Sequence, residues 1–179
     1  DRLAAWKPDR IAVEGVSGQQ CDMLRRYKAL IPDVAEQYCW DNGPALAASG
    51  MDMPAALAEI DKRLANWPAQ PTPAERRQLA LLFLAAGDRA SALVQWLRLP
   101  SPERRAADGL TPELAKMLDA SIGRRNENYA IAAALATRLG HERLWLMDDH
   151  SSDYIVAEPG EAFGKAMEKI WNNPAGEAR

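Results

Sequence analysis

The sequence of 179 residues lacks the features that mark several large classes of protein. It contains 22 Lys and Arg against 25 Asp and Glu, a net charge of −3, so no basic surface for nucleic acid is expected. No apolar run approaches the ~18 residues that a membrane-spanning helix requires. The zinc-binding Cys spacings, the phosphate loop, the dinucleotide fingerprint and the Gly-x-Ser-x-Gly and His-Glu-x-x-His motifs are absent. The chain therefore belongs to none of these motif-defined classes.

Cysteine is scarce, and its two copies allow two interpretations. Cys21 and Cys39 are 18 positions apart and match no metal-binding spacing. We favour two buried free thiols on helices, while a single disulfide in an exported protein is the alternative. The choice depends on whether the two Cα atoms come within bridging range, which the spacing does not decide.

What is present is a mostly helical chain with two short apolar strands. Residues 10–14 and 143–147 each form an apolar run that is followed by glycine or polar residues, as buried strands are. We predict an α/β fold with a small parallel sheet and a large helical insertion. Residues 1–43 and 124–158 would form the core segments, 44–123 the insertion, and 159–179 a C-terminal helix and tail, in a single domain or a fragment of one.

Helix signals occupy most of the remaining sequence. The 72–75 segment Thr-Pro-Ala-Glu predicts a capping box, and residues 82–97 resemble one tetratricopeptide-like hairpin. No second copy at a fixed period occurs, so we favour an ordinary helical hairpin over a peptide-binding repeat. The predicted helices span 2–6, 17–30, 33–40, 53–67, 72–86, 89–99, 111–122, 126–139 and 160–171.

Acidic side chains follow both strands and begin the helix between them. Glu14 ends the first strand, Asp148 and His150 follow the second, and Glu127 opens the helix that leads into it. A right-handed crossover makes the two strands parallel, so these groups would meet at the carboxyl edge of the sheet, where α/β proteins bind ligands. Converging carboxylates favour a shared cation. We predict Glu14 and Glu127 as catalytic residues, and Glu14, Glu127, Asp148 and His150 as ligands of a divalent metal ion.

Each of these residues also has a structural explanation. Glu14 alone is compatible with a surface strand end, and the helix dipole favours an acid at position 127. Residues 148–150 are compatible with a polar turn. The helix face that carries Glu127 is mostly apolar, and we expect it to point toward the core. Its members are Glu127, Ile131, Ala134, Leu135 and Arg138.

Two separated segments resemble a known family. Residues 6–14, Trp-Lys-Pro-Asp-Arg-Ile-Ala-Val-Glu, are similar to the Lys-Pro and Val-Glu segment of the TraB/PrgY/Tiki-like bacterial proteins, which are grouped with erythromycin-esterase-like and ChaN-like proteins. Residues 126–129, Asn-Glu-Asn-Tyr, with 140–141, Gly-His, and 144–148, Leu-Trp-Leu-Met-Asp, resemble the second acidic segment of that family. Together the resemblance covers about a third of the chain, at two separated places.

The resemblance implies a metal-dependent hydrolase-like domain of the protease or esterase kind, with Glu14 and Glu127 as the carried-over acids. The first Gly-x-x-His motif of the family would lie before Asp1, and nothing in 151–179 matches its last histidine motif. We therefore expect the domain to be incomplete or inactive as given. The absence of a Met before Asp1 and the resemblance together indicate a periplasmic or secreted protein, with the cytoplasm as the open alternative.

A non-catalytic helical interaction domain is the second hypothesis. Its partner surface would be formed by the hairpin at 72–99 and by exposed tryptophans near helix ends, since aromatic anchors are typical of interfaces. The substrate, the protein partner and the oligomeric state stay open. The tryptophans in question are Trp40, Trp67, Trp96 and Trp171.

Overall fold

Two short parallel strands and a large set of helices make up the part of this protein that the structure describes. A computed structural model describes residues 2–151 and 160–172. Strand β1 spans Ala12–Val16, strand β2 spans Trp145–Asp148, and the two pair in parallel. The chain that connects them is mostly helical. The expected mostly helical α/β fold with a small parallel sheet and a helical insertion is therefore confirmed.

The helices begin where the sequence places capping residues. Ser17, Thr72 and Thr111 each accept a hydrogen bond from a backbone N–H in the first turn, and Thr72 forms the predicted capping box with Glu75. Within the described ranges, no helix is both long enough and apolar enough to cross a bilayer. The helices are α1 (Arg2–Ala5), α2 (Gly18–Arg26), α3 (Val34–Tyr38), α4 (Gly43–Ser49), α5 (Met53–Ala65), α6 (Pro73–Ala85), α7 (Arg89–Leu97), a 3₁₀ turn (Ser101–Glu103), α8 (Pro112–Ile122), a π-helical segment (Asn128–Ala133) that continues into α9 (Ala134–Leu139), and α10 (Glu161–Trp171).

Helices α6 and α7 form a hairpin at the centre of the core. α6 packs against α4, α5 and α7, and α7 also contacts α8 and α9. Because α6 has neighbours on several sides, most of its residues are buried, including Phe83 and Leu84. Trp96 of α7 is fully buried. The hairpin is thus the ordinary buried element that we favoured over a peptide-binding repeat.

A buried polar network joins this hairpin to the segment before β2. Arg76 of α6 donates hydrogen bonds to Gln95 Oε1 at 2.8 Å and to Glu142 Oε2 at 3.0 Å. The Gln95 amide in turn donates to the backbone carbonyl of Glu142 at 2.7 Å. Buried polar groups are costly unless they are hydrogen-bonded, so these bonds satisfy the guanidinium and the amide while they anchor the second strand.

Two helix boundaries differ from the expected ones. Helix α4 begins at Gly43, outside the predicted helices, because Pro44 fits the first turn of a helix and Gly50 closes it with φ +66°. Helix α2 ends at Arg26 rather than near Leu30. Beyond that end, the chain turns so that Ile31 is buried while Leu30 stays exposed.

Cys21 and Cys39 form a disulfide, so the favoured interpretation of two free thiols was wrong. Their Cα atoms are 5.6 Å apart, within the usual bridging range. The bond links α2 to the residue that follows α3. It lies in a small hydrophobic cluster, separate from the main core, whose buried members are Val16, Cys21, Leu24 and Ile31.

Candidate functional site

The carboxyl edge of the sheet is irregular at the residue that the sequence singles out. Val13 pairs with Leu146 and Val16 pairs with Asp148, so Glu14 and Gly15 together stand opposite one residue of β2, Met147. This extra residue is a β-bulge, a feature that is frequent beside active sites because it re-aims a side chain. Glu14 is exposed at this bulge. The expected parallel pairing places Glu14 and Asp148 near the same edge.

A small cleft of about 70 Å³ opens at the bulge, and we call it the edge cleft. Its chemistry combines a carboxylate, a guanidinium, an amide and aromatic rings. It lies between β1, the start of α7, the end of α3 and the π-helical segment. Its lining residues include Glu14, Gly15, Tyr38, Trp40, Arg89, Asn128 and Tyr129.

Arg89 is the cation of the edge cleft. It is the first residue of α7, directly after Asp88, whose carboxylate accepts a hydrogen bond from the backbone N–H of Ser91 at 2.8 Å. The Arg89 guanidinium lies 5.7 Å from the centre of the Trp40 ring, a cation–π distance. Glu14 and Arg89 line the same cleft, yet no ion pair within 4.0 Å joins them. The cleft therefore presents two opposite charges that do not neutralise each other by direct contact.

The start of the π-helical segment lies at this edge, as the crossover predicts, but Asn128 rather than Glu127 makes the contact. The Asn128 side-chain amide donates a hydrogen bond to the backbone carbonyl of Glu14. The backbone N–H of Asn128 is itself bonded to Asn126 Oδ1 at 3.1 Å. Glu127 is exposed and does not line the edge cleft. The structure thus brings Glu14 and Asn128 together.

The prediction that the Glu127 face points toward the core was wrong. Ile131 is 53% exposed, and Glu127, Ala134 and Arg138 are exposed as well. The buried residues keep the i, i+3, i+4, i+7 spacing of an ordinary helical stripe, so the error lies in which stripe was chosen and not in the period. The face that packs inward consists of Tyr129, Ala132, Ala133 and Ala136.

The residues after β2 are held by contacts from α2 and α3. Gln20 Nε2 donates to Asp149 Oδ1 at 2.6 Å, and the backbone N–H of Ser151 donates to the same oxygen at 2.8 Å. Hydrogen bonds from Ser151, and then the one from Gln20, lower the pKa of the Asp149 carboxyl below its usual range. The His150 ring stacks on Tyr38, with centroids 3.7 Å apart and ring planes at 12°.

The predicted metal ligands do not gather into one donor set. In residues 2–151 and 160–172, no three side chains of His, Cys, Asp or Glu lie together as a metal site would require. Glu14 and Glu127 are exposed and His150 is stacked on Tyr38, while Asp148 is half-buried. No such donor set lies among the described residues, and the metal-binding role of these four residues stays a prediction.

Four residues of the site were missed by sequence reasoning. They come from three separate parts of the chain that meet only when the chain folds: Tyr38 with Trp40, Arg89, and Asn128. Two local signals existed: Asn128 lies inside the segment 126–129 that resembles a family motif, and Arg89 follows a Gly-Asp turn. Neither signal says which cleft the residue lines.

No protein-family model, no curated protein and no solved structure matches this chain. The class of protein is therefore the one that its fold defines: a mostly helical α/β protein with a two-stranded parallel sheet. Its activity is inferred from the chemistry of the edge cleft.

Proposed function

We propose that this protein is a hydrolase-like domain whose reaction site is the edge cleft. The observation that carries the proposal is that Glu14 and Arg89 line one cleft at the carboxyl edge of parallel strands without forming an ion pair. That edge is the usual ligand site of α/β sheets. A volume of about 70 Å³ suits a single small polar group, such as an ester or amide, rather than a whole large ligand.

The two charged residues would have complementary roles in such a reaction. An exposed carboxylate such as Glu14 accepts a proton from an attacking water molecule, as general bases do. A guanidinium such as that of Arg89 stabilises the negative charge that develops on the carbonyl oxygen. The Trp40 ring contacts the Arg89 guanidinium and limits the freedom of the Arg89 side chain, so the cation is already positioned before substrate binds. Asn128 fixes the end of β1 through the Glu14 carbonyl.

Two supporting features concern the setting of the site. The β-bulge at Glu14 and Gly15 gives the carboxylate its own position outside the regular ladder. The Cys21–Cys39 disulfide supports a protein that works in an oxidising compartment, such as the periplasm or the cell exterior. We assign the chain to the family that its sequence resembles only as part of this proposal.

The test is a hydrolysis screen with the purified chain on small chromogenic esters and amides. Glu14→Gln should lower kcat by about 10²-fold or more, because it removes a general base. Arg89→Met should lower kcat by a similar factor through the loss of oxyanion stabilisation. Glu168→Gln is the matched control, since Glu168 lies on α10 and outside the cleft. A wild-type chain without activity on either class, or full activity in Glu14→Gln, would contradict the proposal.

The same screen decides the predicted metal dependence. Activity that is lost on chelation and returns with one divalent ion would support a metal-dependent reaction. Activity that survives chelation would leave Glu14 and Arg89 as the acting groups and would contradict the predicted metal site. Glu127→Gln belongs in this series, because its effect shows whether the second predicted acid takes part.

A helical interaction domain is the second candidate, and α10 favours it. None of its residues is buried, and it exposes Phe163, Ile170 and Trp171, the last by 77%. The spacing of its apolar residues is that of an amphipathic helix, which normally packs against a partner. The predicted role of Trp96 as an exposed anchor was wrong, since that indole is fully buried.

Self-association is the first measurement for this candidate. Sedimentation of the wild-type chain over a concentration series should show association that Ile170→Glu abolishes, if α10 binds a second copy. Glu168→Gln leaves the apolar stripe intact and serves as the control. A wild-type chain that stays monomeric at every concentration would contradict pairing of this kind.

A further inference from the structure

The wall of the edge cleft is built from the residues on either side of Cys39. Tyr38 and Trp40 both line the cleft, and each makes one aromatic contact: Tyr38 with the His150 ring, and Trp40 with the Arg89 guanidinium. Because Cys39 stands between them in the chain, its bond to Cys21 fixes the backbone from which both rings project. In the chain, the disulfide-bonded Cys39 is thus adjacent to both aromatic residues that line this side of the proposed site.

Partly buried side chains also hold this segment: Val34 and Ala35 pack on the small cluster around the disulfide, and Trp40 packs on the main core. Helix α3 has five residues and no buried side chain, and Asp33 before it adopts φ +66° without a side-chain cap. The hydrophobic cluster around the disulfide contains four buried residues, a small core for a segment of this length. One hydrogen bond, from Arg25 Nη2 to the Trp40 carbonyl at 2.8 Å, adds to the disulfide. Short helices are marginal in water by themselves, and α3 has no fully buried side chain, so the covalent bond is the restraint that most directly joins α3 to α2.

The disulfide is also accessible from solvent. Cys39 is only half-buried, and it lines a surface cleft of about 660 Å³ next to the edge cleft. Charged side chains, including Arg25, Lys28 and Glu36, border this surface cleft. A small dithiol can therefore approach the Cys39 sulfur from outside, whereas Cys21 is buried behind it.

We propose that the Cys21–Cys39 disulfide is a positioning device for the edge cleft, and that its reduction releases the wall formed by Tyr38 and Trp40. In the reaction, a dithiol reductant supplies two electrons and two protons. The Sγ–Sγ bond breaks, Cys21 and Cys39 become thiols, and the reductant becomes a disulfide. Tyr38 then leaves the His150 ring and Trp40 leaves Arg89, so the cleft loses its outer side. The inference rests on the proposed function only in treating this cleft as the site.

Nuclear magnetic resonance of the two histidines tests the proposal without any substrate. The chain contains only His141 and His150. His150 lies under the Tyr38 ring, whose ring current displaces the signals of the stacked imidazole. His141 contacts the backbone carbonyl of Pro8 at 2.8 Å and serves as an internal reference. After reduction of the full chain by dithiothreitol, the displacement of the His150 signals should be lost while the His141 signals stay in place.

Two variants make the result unambiguous. Tyr38→Leu keeps the disulfide and removes the ring current, so it identifies the His150 position expected after release. Cys21→Ser with Cys39→Ser should give the same His150 position without reductant. Mass analysis after alkylation confirms that both thiols are free.

Each outcome decides the proposal. Unchanged His150 signals in a chain with two free thiols would overturn it, because the wall would then hold without the bond. Movement of both histidines to unfolded positions would also overturn it, because the disulfide would then secure the whole fold rather than the cleft wall. Failure of the hydrolysis screen with a released His150 would contradict the proposed function and leave the positioning role standing.

Discussion

Gly18→Ala should destabilise the protein, and the structure shows in detail why. Gly18 begins α2 directly after β1, at the carboxyl edge of the sheet. A Cβ at this position would lie 2.0 Å from the Ala86 carbonyl oxygen and 2.9 Å from the Ala86 carbonyl carbon. A Cβ on the neighbouring Gly87, which has φ +80°, would likewise lie 3.0 Å from the Gly18 Cα. The glycine is required here by lack of room rather than by its own backbone angles.

The size of this destabilisation depends on which atoms must move to make room for the new methyl group. Backbone atoms at the end of α6 cannot rotate away as a side chain would, so α2 and α6 must separate by about 1 Å to restore contact distances. Overpacking of this kind costs about 3 kcal/mol, at the upper end of the usual range. Alanine stabilises a helix by up to about 1 kcal/mol relative to glycine. The expected net loss is therefore about 2 kcal/mol or more in the free energy of unfolding.

Urea unfolding followed by circular dichroism measures this loss. With a typical urea m-value of about 2 kcal/mol/M, the midpoint of unfolding should fall by about 1 M. Gly123→Ala is the matched control: no atom lies within 4 Å of its would-be Cβ, and its φ of −92° suits alanine. That variant should be stabilised by about 0.4–1 kcal/mol. A loss below about 1 kcal/mol in Gly18→Ala would refute the close approach of α2 to α6.

Three further predictions concern buried groups. Burial raises the pKa of Asp88 above its ordinary value of 3.8, although hydrogen bonds from Ser91 oppose this rise. The folded state therefore keeps the Asp88 proton to a higher pH than the unfolded state does. As a result, the free energy of unfolding falls as pH rises from the unfolded pKa through the folded pKa. Asp88→Asn should remove this fall, and a wild-type-minus-variant difference that is constant from pH 3 to 8 would contradict it. Removal of the disulfide by Cys21→Ala with Cys39→Ala should lower the free energy of unfolding by about 3 kcal/mol, by the loop-entropy relation. Urea unfolding measures this loss, and a loss below about 1 kcal/mol would argue against that relation here. Gln95→Leu should cost about 1–3 kcal/mol, because its fully buried amide satisfies other buried groups, and a neutral result in thermal unfolding would show that the network relaxes.

Much of the local structure could be predicted because its signals are local. A strand around Glu14 follows from the apolar run, although β1 spans Ala12–Val16, so Glu14 lies at its middle and Gly15 lies inside it instead of closing it. The capping box at Thr72 and Glu75 follows from four neighbouring residues. The parallel pairing follows from a general rule of chain handedness once two strands are separated by a helical insertion. These inferences need no knowledge of the contacts between distant residues.

The rest of the site could not be predicted, because it depends on which distant surfaces meet. Arg89 and Trp40 belong to different helical regions, and only the packed chain brings the guanidinium over the ring. The inward face of the 128–139 helical segment is the stripe that packs against other elements, among them α7, and only the folded chain shows which stripe that is. Periodicity alone placed Ile131 on the wrong face.

The sequence by itself determined most of the elements in their order, although not α4, together with the capping box at Thr72 and a carboxylate on β1. Each of these depends on hydrogen bonds and side-chain spacing within a few residues. Only the tertiary structure decided that Cys21 and Cys39 bond, that β1 bulges at Glu14, and that Asn128 reaches the edge cleft instead of Glu127. These outcomes depend on distances between segments that are far apart in the chain, and such distances are set by close packing of the whole core.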